Sequence, residues 1–401
     1  MTDGQFEQCA EMFGRTVEPS KALAAYYISI VLLYVNFIVG CVPLLSSIEP
    51  FTPALTLASS VLLSYRILTL YKNCPVKAFL IPLTCIAIGG LSFLRCGESN
   101  MLLLMLLIFG LGDVDGKIVL NLWTGATCLV LICMVALAVI APLTGLEPMT
   151  VVRQASGATR YGLYFIHPNT FGMVLTMLAI SVSMVWGRSN RLVDTACILL
   201  VVIAYGVTDS KGALISGVVY FALKVMPSKF WLGLSGCVLR ALPVLCIGFV
   251  FLITIGAFDS HIFDLLQAAL TGRPALWQFQ YKHVGLTMFG QRAIFGAVDY
   301  GGWHYSGITI DSAYASYLLY TGLASFLAFQ YLYHRGLCRA AARKDYRLLA
   351  ALVAMVLLGI VESSAVNPMM ATPLILLGSY YDPRQRWRCP GGVGDPKCSD
   401  W

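Results

Sequence analysis

Charged side chains are scarce in this chain, at 12% of 401 residues. A soluble protein of that length needs a more polar surface, so the composition excludes an ordinary water-soluble enzyme. Metal-ligand spacing is also missing: there is no CxxC and no His/Cys cluster of the kind that holds zinc. No internal repeat and no low-complexity linker is visible, which removes solenoids and gives no sign of the paired halves common in transporters. The net charge of +7 comes mostly from clusters beside apolar runs, so nucleic acid is not an expected partner.

Apolar sequence is abundant. Hydrophobic residues make up 58% of the chain and the mean hydropathy is +0.77. Windows of roughly 20 apolar residues predict an all-α, polytopic membrane protein of about 12 transmembrane helices. The spans fall near 22–43, 53–71, 78–94, 100–112, 118–142, 169–187, 193–208, 212–227, 234–256, 311–333, 348–364 and 367–381. Residues 1–21 then form an N-terminal segment, 22–381 a single transmembrane catalytic domain, and 382–401 a tail. No cleavable leader is evident in the polar first 21 residues.

Orientation follows from Lys and Arg. With both termini cytoplasmic, eighteen of the 27 fall in inside segments and seven outside. Arg66 and Arg240 sit near inner span ends, where snorkelling accounts for them. Only Cys96 of thirteen cysteines falls in an outside loop, so an exported disulfide framework is excluded.

Two outside segments exceed connector length, 143–168 and 257–311. The second cannot lie in a membrane, and it gathers Arg273, Trp277, His283, Arg292, His304 and Asp311. Apolar spacing predicts short amphipathic helices over 261–270 and 273–284, packed on the spans as a lid, with 296–307 irregular. Four clusters offer chemistry. In RYGLYFIHPNTFG, Arg160 precedes an outward-facing helix start at His167 and Asn169, an anion site or simply a cap. The turn TDSKG brings Lys211 next to a glycine, though a polar turn between spans is commonly only solvated. On a helix, Arg273 and Trp277 share a face suited to a phosphate or a sugar. Asp311, with Tyr314 after it, stands where the long segment re-enters the membrane, as a base or a cap. Together they point to an enzyme acting on anionic, lipid-linked substrates.

In this order the clusters resemble the O-antigen polymerase and ligase-like family of bacterial polysaccharide assembly, Wzy-type polymerases above all. The resemblance covers about 150–325. It rests on Arg160, Gly162, His167, Pro168, Asn169 and Gly172, then Thr208, Ser210, Lys211 and Gly212, then Gly272, Arg273 and Trp277, and finally Asp311, Ser312, Tyr314 and Gly322. Two positions depart from the family pattern: Lys211 stands where arginine is usual, and Asp311 stands where the ligase branch has histidine.

The resemblance implies a glycosyltransferase of the bacterial plasma (inner) membrane that joins undecaprenyl-diphosphate-linked oligosaccharide repeat units into capsular, exo- or O-antigen polysaccharide. Arg160, Arg273, Lys211 and Arg292 would hold the diphosphate. Asp311, with His283 and His304 as alternates, would handle the proton. His167, Asn169, Trp277 and Tyr314 would meet the glycan or cap helices. No metal or other cofactor is implied. Expected partners are membrane lipid, a flippase and a chain-length regulator. The alternatives are ligase-type transfer to another acceptor and, in a different class, transport of the lipid-linked glycan.

Overall fold

The computed structural model describes residues 19–145, 147–152, 157–187, 190–234, 238–270, 272–292, 298–300, 303–305 and 310–381. The expected N-terminal segment (save 19–21) and the 382–401 tail lie outside them. The chain folds as helices α1 (Pro19–Cys41), α2 (Thr52–Tyr71), α3 (Val76–Cys96), α4 (Asn100–Leu111), α5 (Gly116–Thr144), α6 (Pro168–Trp186), α7 (Arg191–Thr208) and α8 (Lys211–Lys224). Then come α9 (Ser228–Leu234), α10 (Val238–Ile255), α11 (Ser260–Ala269), α12 (Arg273–Val284), α13 (Ala313–Ser316), α14 (Leu323–Ala342), α15 (Tyr346–Leu358) and α16 (Thr372–Ile375). Strands β1 (Met149–Val152) and β2 (Thr159–Leu163) make one antiparallel hairpin, and β3 (Val298–Tyr300) and β4 (Trp303–Tyr305) another.

Among the described residues six helices are long and apolar enough to cross a membrane, and a seventh span is possible if Ala241–Ile255 and Ser260–Ala269, bent by 116°, count as one. The remaining expected spans are short or broken. Helix α4 has 12 residues, ten of them buried; at 1.5 Å per residue it is about 18 Å long, well under a bilayer core of ~30 Å. The span expected over 311–333 is interrupted by a π-turn at Tyr317–Thr321 and by Gly322 at φ +88, so its long helix begins only at Leu323. The span expected over 367–381 is a turn, the four residues of α16 and a 3-10 turn.

Helix ends are set by local chemistry. Asp115 caps α5 through Lys117 N–H at 2.9 Å, and Asp345 caps α15 through Leu348 N–H at 3.2 Å. Gly145, left-handed at φ 69, ends α5. Arg66 corrects the snorkelling expectation: it is 3% exposed, donates to Gly110 O at 3.2 Å and pairs with Asp113. Buried this deeply, the guanidinium needs a carboxylate, not a path to water. The Arg240 side chain lies outside the described residues. Cys41, Cys85, Cys96, Cys128, Cys133, Cys197, Cys246 and Cys338 are in no disulfide.

The bundle has two distinct ends. At one, Tyr71 Oη donates to Tyr381 O at 3.2 Å, Arg347 to Met184 O at 3.3 Å, and Lys224 pairs with Asp194. At the other, Ile166 N–H bonds Cys41 O at 2.7 Å, Ser92 Oγ bonds Thr321 O at 2.8 Å, and Ala313 N–H bonds Gly359 O at 2.9 Å. The segments from the two long connections meet at this second end.

Both helices expected in 257–311 are present as α11 and α12; α11 lies at the surface, buried only at Gln267, whereas α12 is packed into the protein. Most of α12 is buried, from Pro274 through Trp277 and again at Phe279 and Gln280. Gln267 of α11 accepts the Ala275 N–H at 3.0 Å and locks the two together. The segment after α12 crosses the π-turn at Gly290 and Gly322, where a Cβ on Gly322 would come within 2.3 Å of Gly290 N and 2.7 Å of Met288 O.

Gly322→Ala is therefore expected to lower the unfolding temperature of the purified protein far more than Gly97→Ala. Gly97 has a similar φ of +82 but open space around it, so alanine there meets only backbone strain, ~1–2 kcal/mol. Equal shifts would show that the crossing does not constrain this region.

Candidate functional site

Alternation along β2 turns Arg160 inward between exposed Thr159 and Tyr161. Residues 143–168, expected as loop, thus present this guanidinium from a strand. Its Nε donates to Thr208 O at 2.8 Å and an Nη donates to Asn169 Oδ1. Thr208 ends α7, and Gly172 lets α6 approach the turn that follows: a Cβ there would sit 2.6 Å from Thr208 Oγ1. His167 caps α6, its Nδ1 accepting the Asn169 N–H at 3.1 Å, with Pro168 opening the helix. An Nδ1 that accepts is unprotonated, so the ring is held neutral with Nε2 as its donor. Burial pushes the His167 pKa down, Arg160 and Arg273 push the same way, and Asp311 opposes.

The second guanidinium opens α12 just after Gly272. Arg273 Nε donates to Asp311 Oδ2 at 3.0 Å and Nη2 to Glu362 Oε1 at 3.4 Å. Glu362 is 8% exposed and rests on the TDSKG turn, where a Cβ at Gly212 would meet its Cγ at 2.7 Å. Burial raises the Glu362 carboxyl from the ordinary 4.5 to about 7; Arg273 and Arg160 pull it down and Asp311 pushes it up. Both guanidiniums thus act on the same two titrating groups, His167 and Glu362.

Beside this cluster lies a cavity of about 710 Å3. His167, Asn169, Asp311 and Glu362 line it, together with Asn36, Glu98, Asn100, Tyr317, Tyr320 and Asn367. Among the described residues no Lys or Arg lines it. Arg273 stands behind its two carboxylates, with its side chain 19% exposed.

The other expected site residues are arranged differently. Lys211, at the first position of α8, and Arg292 are exposed, and neither lines the cavity. His283 is ten residues along α12 from Arg273, about 15 Å on a helix. Its Nδ1 is 2.8 Å from Phe279 O and its ring 4.0 Å from that of Phe279. His304 belongs to β4, opposite Asp299, and its side chain lies outside the described residues. Trp277 and Tyr314 are core residues, contrary to a glycan-stacking role: Trp277 is 0% exposed, and Tyr314 Oη donates to Val356 O at 2.7 Å. Apolar surface on both sides of these rings drives them inward.

Glu362 was missed in the sequence. Its signal is a lone carboxylate in an apolar run, LLGIVESSAVNPMM, where an ionisable group is costly and calls for a partner. Asp113 and Asp115 have structural roles, since Asp113 pairs with Arg66 and Asp115 caps α5. Among the described residues no three His, Cys, Asp or Glu converge as metal ligands. The chain matches no protein-family model, and neither curated proteins nor solved structures give a match to it.

The raised Glu362 pKa has a sign that can be measured. Between about pH 4.5 and 7 the folded protein holds a proton that the unfolded chain releases. The stability this group contributes is complete below 4.5 and is lost as pH climbs through about 7. Glu362→Gln is expected to flatten the fall in unfolding temperature between mildly acidic and mildly alkaline buffer, removing a contribution on the order of 2 kcal/mol. An unchanged fall would assign the pH dependence to another group.

Proposed function

We propose that the protein is a membrane glycosyltransferase that polymerises oligosaccharide repeat units carried on undecaprenyl diphosphate, at the outer face of a bacterial plasma membrane. One observation carries this reading: β2, the start of α6, the start of α12, Asp311 and the turn after α15 gather two guanidiniums, a neutral histidine and two carboxylates into one cluster, of which the histidine and the carboxylates line a cavity. The orientation is supported by charge. The end away from the cavity carries Arg335, Arg339, Arg343, Lys344 and Arg347, as a cytoplasmic end does. About twelve passes result if the short helices α4, α8, α15 and the broken final segment are counted with the long ones.

In the proposed reaction an acceptor hydroxyl of one lipid-linked unit attacks the anomeric carbon of the chain on another. The new glycosidic C–O bond forms as the bond from that carbon to the diphosphate breaks, and the diphosphate leaves with the electron pair. The hydroxyl proton passes to Asp311. A diphosphate already leaves readily, so stabilising its charge is the main requirement. Arg273 is the group for this, because its fork can exchange the Asp311 and Glu362 oxygens for phosphate oxygens without changing geometry. Arg160, held by Thr208 and Asn169, contributes fixed charge behind the neutral His167. Lys211 and Arg292, both exposed, are candidates for contacting the carrier as it approaches.

Arg273→Lys is expected to cut polymer at least tenfold in cells lacking the native gene, with normal amounts of protein in the membrane. A lysine keeps the charge but not the fork. Single repeat units should then accumulate on the carrier at the outer face; accumulation at the cytoplasmic face would favour transport instead. Normal polymer from Arg273→Ala would remove the assignment.

A further inference from the structure

The end of the bundle away from the cavity carries a second cluster, built from arginine and tyrosine. Tyr331, Arg335, Arg339 and Arg343 recur at four-residue spacing along α14 and its C-cap, so each is the surface neighbour of the next. The Arg335 guanidinium lies 5.5 Å from the centre of the Tyr331 ring, Arg339 4.9 Å from that of Tyr381, and Arg343 5.0 Å from that of Tyr380. Stacking of this kind uses the flat face of a guanidinium and leaves its edge for acceptors. One Nη of Arg335 donates to Tyr331 Oη at 2.7 Å. The fork is thereby held in one direction while most of its N–H groups stay open to a ligand.

Arg335 and Arg339 line a cleft together with Tyr331, Tyr380 and Tyr381, and no carboxylate lines it among the described residues. Elsewhere an acid meets each shielded cation: Asp113 meets Arg66, Asp194 meets Lys224, and Asp311 and Glu362 meet Arg273. Here aromatic rings stand in that place. The Tyr331 partner of Arg335 belongs to the same helix, one turn earlier, so their contact joins no two segments of the fold.

The setting defines the ligand. The cleft encloses only about 20 Å3, room for one water or one phosphate oxygen, so a larger anion must lie across its mouth. Its other side is α3, through Ile81 and Pro82; that helix is only 22% buried and exposes Leu80 and Leu83. Leu327, one turn before Tyr331, is exposed as well. Lys72 and Lys77, next in sequence to the lining residues Tyr71 and Ala78, are also exposed. Apolar side chain, tyrosine and then cations, in that order along α14, match the layers of a lipid–water interface.

We propose that this cleft binds an acidic phospholipid, with Arg335 and Arg339 on the phosphate oxygens and the acyl chains along the exposed apolar side chains of α3 and α14. Free phosphate shares the charge but makes no use of the apolar flank. The site is independent of the reaction proposed above.

The full-length protein, purified in an uncharged detergent, can be titrated with phosphatidylglycerol, phosphatidylcholine and inorganic phosphate, with bound lipid counted by native mass spectrometry. Phosphatidylglycerol is expected to bind roughly tenfold more tightly than phosphatidylcholine and to resist displacement by an equal concentration of phosphate. Arg335→Gln should raise the phosphatidylglycerol Kd about tenfold, the worth of a charge-assisted hydrogen bond. Arg335→Lys should recover only part of that loss, because it keeps the charge without the fork. Arg335 touches only a partly exposed tyrosine on its own helix, so folding is spared. Arg95→Gln removes the same charge from an exposed position at the other end of α3 and should leave the Kd unchanged.

Equal binding of the two lipids overturns the site, and so does an unchanged Kd in Arg335→Gln. An equal loss in Arg95→Gln would reduce the effect to net charge and overturn it as well. Displacement by phosphate at matching concentration would remove the lipid as the occupant.

Discussion

A guanidinium with only 19% of its side chain exposed must be met by negative charge, and Arg273 is met by Asp311 and Glu362. Removing either carboxylate leaves a desolvated charge short of a partner, a situation that costs several kcal/mol in proteins. The pairing therefore fixes three segments that the chain separates widely. The start of α12 is held by Gln267 and Gly272, Asp311 precedes the interrupted α13–α14 segment, and Glu362 follows α15. A fourth joins because Gly212 alone leaves room for the Glu362 side chain. Polar groups in an apolar bundle concentrate where they can satisfy one another, and here that place is also where the cavity opens.

The same principle decides what the sequence disclosed. Long apolar runs mark α2, α3, α5 and α7, which are 17–33% buried, because a helix facing lipid must be apolar along its whole length; α6 is as long but 72% buried. The runs at 100–112, 311–333 and 367–381 are equally apolar for a different reason: they pack inside protein, where no membrane thickness sets their length. Composition cannot separate these cases. Capping residues such as Asp115, Asp345 and His167 are local and legible. The inward face of β2 is not, since a hairpin of four and five residues within 143–168 leaves little periodicity to read.

Site residues divide along the same line. Arg160, Asn169, Arg273 and Asp311 stand out because each is a charge or amide at the edge of an apolar run, and the structure brings them close together. Trp277 and Tyr314 belong to the same motifs but are buried, because nearness in sequence to a site fixes a residue's address and not the direction of its side chain. Glu362 shows the converse. No motif announces it, and its meaning comes from Arg273, 89 residues away.

For the proposed diphosphate substrate, an acid-lined cavity is at first sight a poor host. Glu98, Asp311 and Glu362 all face it, and the two arginines stand behind. The conflict resolves if proton and ligand are linked. With Glu362 ionised, Arg160 and Arg273 are balanced by two carboxylates; with Glu362 protonated, the group carries one net positive charge. A carboxyl raised to about 7 can change state near neutrality at little cost, so an anion arriving at Arg273 favours the protonated form, and protonation favours the anion by the same free energy. In the proposed reaction, phosphate oxygens that replaced Asp311 on the guanidinium would release that carboxylate, which now pairs with Arg273, toward the cavity and the acceptor hydroxyl. The ion pair that closes the site in the resting protein would then supply its base once the donor is seated, and an empty site would hold that base in reserve.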